Sequence, residues 1–400
     1  MRSAISIFGV ATAGVLVAGL VAPASAKGFQ VIHDFTNGND GGVPPYTLVL
    51  DKKGNLVGTA NQGGADQAGI IFSMAHKKAG WSLKPLYNFN GDDGQPGWGV
   101  TLDKGSMYAI ASYAEVMGGP CGSALQINKS QKQWQSVLMH TFVEKEDGCP
   151  TGNMVLDKAG NAYGATQDGG PNGWGVVFEL SPSNGSWTET ILHAFGGEGD
   201  GGTPYSGLIF DKSGNLYGAA TRGGEGGCDD GCGTVFELSP SQTGWTYNVL
   251  YSFQGGDDGG SPVAGLTFDK SGNLYGATES YGANGGGTVF ELSPSDGTWT
   301  FSVLASMSGS TGPVVAVTLD KAGTIYGTNY RDGADDYGSV FELSQSGGNW
   351  TYTDLHDFTG GDDGGYPGGG VTIDPKGNLY GTTVLGGADK YYGVVWEIGK

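Results

Sequence analysis

Asp211-Lys212-Ser213-Gly214-Asn215-Leu216-Tyr217-Gly218 recurs, with small changes, around Asp51, Asp103, Asp157, Asp269, Asp320 and Asp374. The steps between the aspartates are 52, 54, 54, 58, 51 and 54 residues. Seven residues before each stands a proline: Pro44, Pro96, Pro150, Pro204, Pro262, Pro313 and Pro367. A fixed period of this length marks a repeat architecture in which each copy is one supersecondary unit. The copy around Asp211 reads as four short strands. Strand A is 207–210, B is 215–219, C is 233–238 and D is 245–253. Lys212-Ser213-Gly214 turns A into B, with Gly free to take positive φ. Residues 239–244 turn C into D. Four antiparallel strands in about 50 residues make a propeller blade, so the fold class expected is all-β, a seven-bladed β-propeller.

The chain ends carry an independent expectation. The last copy stops after its strand C, Val394-Val395-Trp396-Glu397-Ile398. Val31-Ile32-His33-Asp34-Phe35 matches strand D elsewhere, as in Leu355-His356-Asp357-Phe358. The N-terminal strand is therefore expected to complete the seventh blade and remove an exposed sheet edge.

Residues 1–26 read as a cleavable leader. Arg2 supplies the basic end, 5–21 the apolar stretch and Ala24-Ser25-Ala26 the small-residue cleavage site. One propeller domain over 27–400 is then expected, secreted to the periplasm or beyond. No later apolar run is long enough to span a bilayer. Without residues 1–26 the chain keeps 19 Lys and Arg against 40 Asp and Glu, a net charge of −21. Such a surface repels nucleic acid and anionic membranes, and a monomer is expected. The 78 glycines among 400 residues far exceed the usual share of about 7%, which fits many tight turns between short strands. Four cysteines in an exported chain favour disulfides. Cys228–Cys232 within one loop and Cys121–Cys149 are the preferred pairing of the three combinations.

The chain resembles the GloVer tandem-repeat proteins of bacteria. The resemblance rests on the Asn-Leu-Tyr-Gly-Thr/Ala-Thr, Gly-Thr-Val-Phe-Glu-Leu-Ser-Pro and Gly-Gly-Asp-Asp-Gly-Gly segments and covers the whole mature chain. It implies no activity. Members often carry a C-terminal sorting anchor, and none is expected here, where the last blade runs to Lys400. The Asp-x-x-Gly-Asn-Leu-Tyr hairpin is also similar to blades of NHL-type and lactonase-type propellers, a similarity that implies strand A is innermost. The D–A and B–C loops then share one face, called the top.

Loops on a rigid scaffold usually carry function. His33, His140, His193 and His356 share one strand D position with Tyr87 and Tyr251, and so read as packing. His76 sits beside Lys77 and Lys78 in a bottom turn. No catalytic triad or His-rich metal motif can be assembled from them. Six tryptophans open strand D; Trp98 and Trp174 break that register. Trp98, with Tyr46 at the same position in blade one, suits stacking on a sugar ring at the channel mouth. Arg222 and Arg331, the only arginines of the mature chain, lie in top loops and suit carboxylate or sugar hydroxyls. The expected ligand-binding set is Tyr46, Trp98, Trp174, Arg222, Arg331, Asp335 and Tyr337. Asp92-Asp93, Asp257-Asp258 and Asp362-Asp363 recur in glycine-rich loops, with Asp40, Asp147 and Asp200 in related ones. Clustered carboxylates suit Ca²⁺, while Asp and Gly also simply make turns. Blade six departs most: Met307–Gly312 has lost the acids, and Tyr330–Tyr337 mixes an arginine, three carboxylates and two tyrosines.

Three functions fit this pattern. The first is a non-catalytic binding module for carbohydrate or another surface polymer, with no catalytic residue. The second is a polysaccharide lyase or glycoside hydrolase, using Arg331 with Tyr337, or two of Asp332, Asp335 and Asp336. The third is a structural or protein-interaction ring.

Overall fold

Asp211 shows why the repeat opens as it does. Its Oδ1 accepts the backbone N–H groups of Ser213 (2.8 Å) and Asn215 (2.9 Å), and its Oδ2 accepts Nδ2 of Asn215 (3.0 Å). The side chain thus closes the A–B turn itself, with Gly214 at φ +92°. Asp51, Asp269 and Asp374 repeat this set of bonds. Blade two solves the turn differently. Lys104 and Gly105 both have positive φ (46° and 93°), a two-residue hairpin that matches strand twist.

The glycine of Leu-Tyr-Gly is required by the strand beside it. A Cβ on Gly218 would lie 2.5 Å from the ring of Phe236 and 2.8 Å from Leu208. Phe236 is its cross-strand partner and is fully buried. The same Gly–Phe pair recurs as Gly164–Phe178, Gly276–Phe290 and Gly327–Phe341.

The computed structural model of the protein describes residues 28–113 and 119–400; the leader expected over 1–26 lies outside them. There are seven antiparallel sheets in A-B-C-D order and, among the described residues, no helix. The chain is a seven-bladed β-propeller. In blade four, strand A is two pieces, Gly202–Pro204 and Ile209–Phe210, both paired with strand B, Leu216–Arg222. Strand C, Thr234–Ser241, runs three residues past its expected end, and strand D, Gly244–Ser252, begins one residue early. Ser241 pairs with Gly244, so the C–D turn is only Gln242-Thr243 rather than 239–244.

The ring closes as expected. Phe29–Asp34 pairs antiparallel with Val394–Ile398 and completes blade seven. Phe35 then packs on Phe72 of blade one (5.4 Å between centroids), as Phe195 packs on Phe236 (5.3 Å) and Phe253 on Phe290 (5.3 Å) farther round. Around the axis, strand A threonines bond the next blade's carbonyls. Thr101 donates to Met154, Thr267 to Val317, Thr318 to Val371 and Thr372 to Leu48 (2.5–2.7 Å). The last bond crosses the closure, and the set places strand A innermost.

Each of the seven strand C–D ladders also carries a β-bulge immediately before the His/Tyr position of strand D. In blade four Val235 pairs with Tyr251 and Phe236 with Val249, leaving Leu250 unpaired. A bulge rotates the residues beyond it, and here it aims the Tyr251 ring at the loop after the strand.

Candidate functional site

The D–A loops deliver side chains to the channel mouth. Thr59 and Thr382 hold the loop backbones there, bonding the carbonyls of Trp98 and Tyr46 (both 3.1 Å). The Trp98 indole Nε1 donates to the Pro150 carbonyl (3.3 Å). Its ring lies 5.3 Å from Tyr46 and 5.2 Å from Tyr205. Three aromatics from blades one, two and four therefore form one wall. Tyr46 lies beside Asn61, and burial pushes its hydroxyl up to about 12. Tyr205 is 42% exposed. Glu279 holds in blade five the position that Asn61 holds in blade one. Burial raises its carboxyl above the ordinary range, and its charge acts on Tyr205. Sequence reading found Tyr46 and Trp98 and missed Tyr205 and Glu279. Tyr205 stands one residue nearer its proline than Tyr46 does to Pro44, so register alone hid it.

The arginines join other groups. Arg331 lies over the Tyr366 ring (4.9 Å) and 3.4 Å from Asp336. Tyr330 and Tyr337 pack on the same ring at 5.3 and 5.2 Å. Arg222 pairs loosely with Asp230 in its own loop, at 3.7 Å with both side chains more than half exposed. Asp335 is exposed. Asp332 turns inward, accepting from Nδ2 of Asn329 (2.8 Å), while Asp336 faces Arg331. The two carboxylates engage different partners.

Trp174 and Tyr337 fill a register of their own. Each stands two residues before strand C, as does Cys232; Cys121 holds the same register inside the longer strand C of blade two, Pro120–Ser130. Each lies under the next D–A loop: a Cβ on Gly197 would collide with the Trp174 ring, and one on Gly360 would meet Tyr337 at 2.5 Å. At this position blades two and four use a disulfide, Cys121–Cys149 and Cys228–Cys232, with Cα atoms 5.4 and 5.2 Å apart. Both are the expected pairings. Ring and disulfide are two ways of pinning the same loop.

The paired aspartates divide by role. Asp93, Asp258 and Asp363 fold back onto the bulge-directed ring: Tyr87 Oη donates to Asp93 (2.5 Å), Tyr251 Oη to Asp258 (2.9 Å), and His356 Nε2 meets Asp363 (3.1 Å). Asp40, Asp147 and Asp200 meet His33, His140 and His193 at 3.1, 2.5 and 3.2 Å. In the loop entering blade six the ring and the acid vanish together, as Ala305 and Gly312. The strand D histidines thus latch the loops as well as pack. Asp92, Asp257 and Asp362 face solvent. Among the described residues, none of these three loops gathers three carboxylate or histidine ligands, so the Ca²⁺ expectation has no such set behind it there.

The latches differ in charge. Burial holds His33 and His193 below the ordinary histidine value. Burial also lowers His140, but its bond to Asp147 and the charge of Glu189 outweigh that and raise it. In an NMR titration His140 is expected to titrate above about 6.5, and His33 and His193 below it. The first favours the fold at low pH, an effect lost as pH rises through its folded value. The other two favour the fold above about 6.5, an effect lost as pH falls toward their folded values.

A second concavity lies between blades one and two, on the A–B turn side. In blades four, five and seven strand B Tyr bonds strand C Glu, as Tyr217 to Glu237 (2.7 Å), Tyr275 to Glu291 (3.2 Å) and Tyr380 to Glu397 (3.1 Å). The next blade's Trp covers the Tyr ring, as Trp299 covers Tyr217. Blade one has Val57 and Ser73 instead. Loss of the ring and the carboxylate leaves a cleft of about 1060 Å³, lined by Val57, Leu102 and Trp134 and by Lys52, Lys77, Lys84, Lys104, Lys129 and Lys132. In a chain of net charge −20 this basic, partly apolar cleft suits an anion. Leu-Val-Gly in place of Leu-Tyr-Gly was its legible signal.

The Gloeobacter/Verrucomicrobia repeat model matches residues 9–230 and 225–400. Among solved structures, a proposed 6-phosphogluconolactonase of Bacteroides uniformis is 15% identical with a TM-score of 0.51; the match covers 78% of this chain and 84% of that one. Another, from Bacteroides fragilis, is 14% identical with a TM-score of 0.51, covering 78% and 83%. At such identity the likeness is one of fold. No curated protein matches the chain.

Proposed function

This chain belongs to the Gloeobacter/Verrucomicrobia repeat family, and we propose that it works as an exported, non-catalytic module that binds carbohydrate on its top face. The carrying observation is the wall of Tyr46, Trp98 and Tyr205 at the channel mouth. Blades three, five, six and seven put Gly152, Ala264, Val315 and Gly369 at the Trp98 position. Rigid aromatic faces beside a few polar groups are how pockets hold rings and fix their orientation. Glu279 and Asn61 supply the polar groups. The leader pattern of 1–26 and the two disulfides, which are compatible with an extracellular or periplasmic protein, support export. Net charge argues against a nucleic-acid partner, and the closed ring, with no open sheet edge between its first and last blades, supports a monomer. Asp332 is taken up by Asn329 and Asp336 by Arg331, which favours binding over hydrolysis by a free pair of carboxyls facing one bond.

A glycan-array screen of the purified chain, followed by calorimetry on the best ligand, tests the proposal. Trp98→Ala is expected to weaken binding about 30-fold, the effect of removing a central aromatic worth about 2 kcal/mol. Lys132→Ala, on the opposite side, should leave it unchanged. Absence of binding to any glycan rejects the proposal. Cleaved or unsaturated products would replace it with the enzyme reading.

A further inference from the structure

At three blade junctions the latch ring is covered by an aromatic from the next blade's strand D. Tyr247 lies flat on His193 (centroids 3.8 Å apart, planes at 3°), Phe301 on Tyr251 (3.9 Å, 7°) and Phe29 on His356 (3.6 Å, 10°). The junction of blades two and three breaks this pattern. The residue in register with Tyr247 and Phe301 there is Glu189. Its Oε2 lies 3.7 Å from His140 Nε2, which also meets Asp147 Oδ2 at 2.5 Å. Nitrogen and carboxylate oxygens all lie within 4.8 Å of one another, the one such cluster among the described residues.

The charges at this junction do not balance on their own. Two carboxylates converge on one imidazole, so even a protonated ring leaves one negative charge in excess. Asp147 is buried (6% exposed). Glu189 Oε1 is buried with no hydrogen-bond partner. A buried acceptor without a partner is costly. Glu189 would be an odd choice over tyrosine here unless something filled that acceptor.

We propose that His140, Asp147 and Glu189 form a binding site for one divalent cation. An imidazole nitrogen with carboxylate oxygens suits Zn²⁺ or a similar transition ion better than Ca²⁺ or Mg²⁺, which prefer all-oxygen shells. Partial exposure of His140 (24%) and Glu189 (17%) leaves a path for entry and for water to complete the shell. The loop that carries Asp147 is tied down two residues later by Cys149, bonded to Cys121. The ligands come from strand D of blade two, the loop after it and strand D of blade three. The ion therefore staples two blades where three other junctions stack rings. This site is independent of the carbohydrate wall at the channel mouth.

Stripping the purified chain with a chelator and titrating it with Co²⁺ tests the site. The expected result is one bound Co²⁺ per chain, visible by its d–d absorption, displaced by Zn²⁺, with a midpoint of thermal unfolding that rises with metal concentration. Glu189→Tyr rebuilds the His193–Tyr247 pair of the next junction and should fold while losing at least about 10-fold in Co²⁺ affinity. His140→Tyr, which copies Tyr87 and Tyr251, should do the same. Absence of stoichiometric Co²⁺ binding by the native chain, or equal binding by both folded variants, overturns the proposal.

Discussion

Removing residues 28–36 is expected to abolish cooperative folding and yield oligomers. The segment contributes the fourth strand of blade seven. Phe29 and Val31 pack on the cluster around Phe358 and Trp396, and Phe35, 2% exposed, joins the cluster around Phe72 of blade one. Losing one buried Phe side chain costs about 3–5 kcal/mol. Losing three apolar contacts and a strand ladder together rivals the whole stability of a typical domain, about 5–15 kcal/mol. The bared Val394–Ile398 edge would then pair between molecules. Phe35→Ala alone should fold and lose about 3–5 kcal/mol in urea unfolding. The cause can be separated from mere truncation. Gly399 N donates to Gly28 O (3.2 Å), so the ends already meet as a hairpin. Moving 28–36 behind Lys400 through a two-residue Asn-Gly turn should restore a single unfolding transition. A permutant that stays aggregated would show that the strand needs its own place in the chain.

Gly276→Ala is expected to lower stability by about 1–3 kcal/mol, the cost of overfilling a packed core. The new Cβ would lie 2.5 Å from Phe290 and 2.8 Å from Leu266, both buried. Blade two already contains the compensated version. Its cross-strand pair at this position is Ala109–Leu125, with Val100 in place of Leu266. Adding Phe290→Leu and Leu266→Val to Gly276→Ala should recover most of the loss, seen as a return of the urea midpoint with an unchanged slope. Recovery would mean that the glycine answers to the ring beside it and not to backbone freedom. A triple variant no better than the single one would overturn that account.

The sequence carried the fold because the repeat is written seven times. Asp211 and Asn215 close a turn by bonds within five residues, and such local chemistry survives from copy to copy. The missing last strand and the orphan first strand announced the closure for the same reason. The bulge before Tyr251 was not legible. Nothing in Leu250 marks it, since it arises from a mismatch of pairing between two strands. Nor was the D–A loop latch. His33 and Asp40 are only seven residues apart, but it takes the bulge to bring them together.

Sites fared differently. Tyr46 and Trp98 share a register, and register alone brought them together. Tyr205 lies one position away from it and joins them only through the geometry of the mouth. Trp174 stands outside the tryptophan register, yet belongs to a second one with Cys121, Cys232 and Tyr337, visible only once those four are seen beneath their loops. By itself the sequence determined the number of blades, the order of strands, the closing strand and the disulfide partners. Each of these comes from contacts within a copy or from counting copies. Only the tertiary structure decided which side chains of different copies meet: the aromatic wall, the basic cleft and the Glu189 cluster. Those contacts cross blade boundaries, where the deciding neighbour lies one or two repeats away and its direction is set by twist, bulge and packing rather than by spacing along the chain.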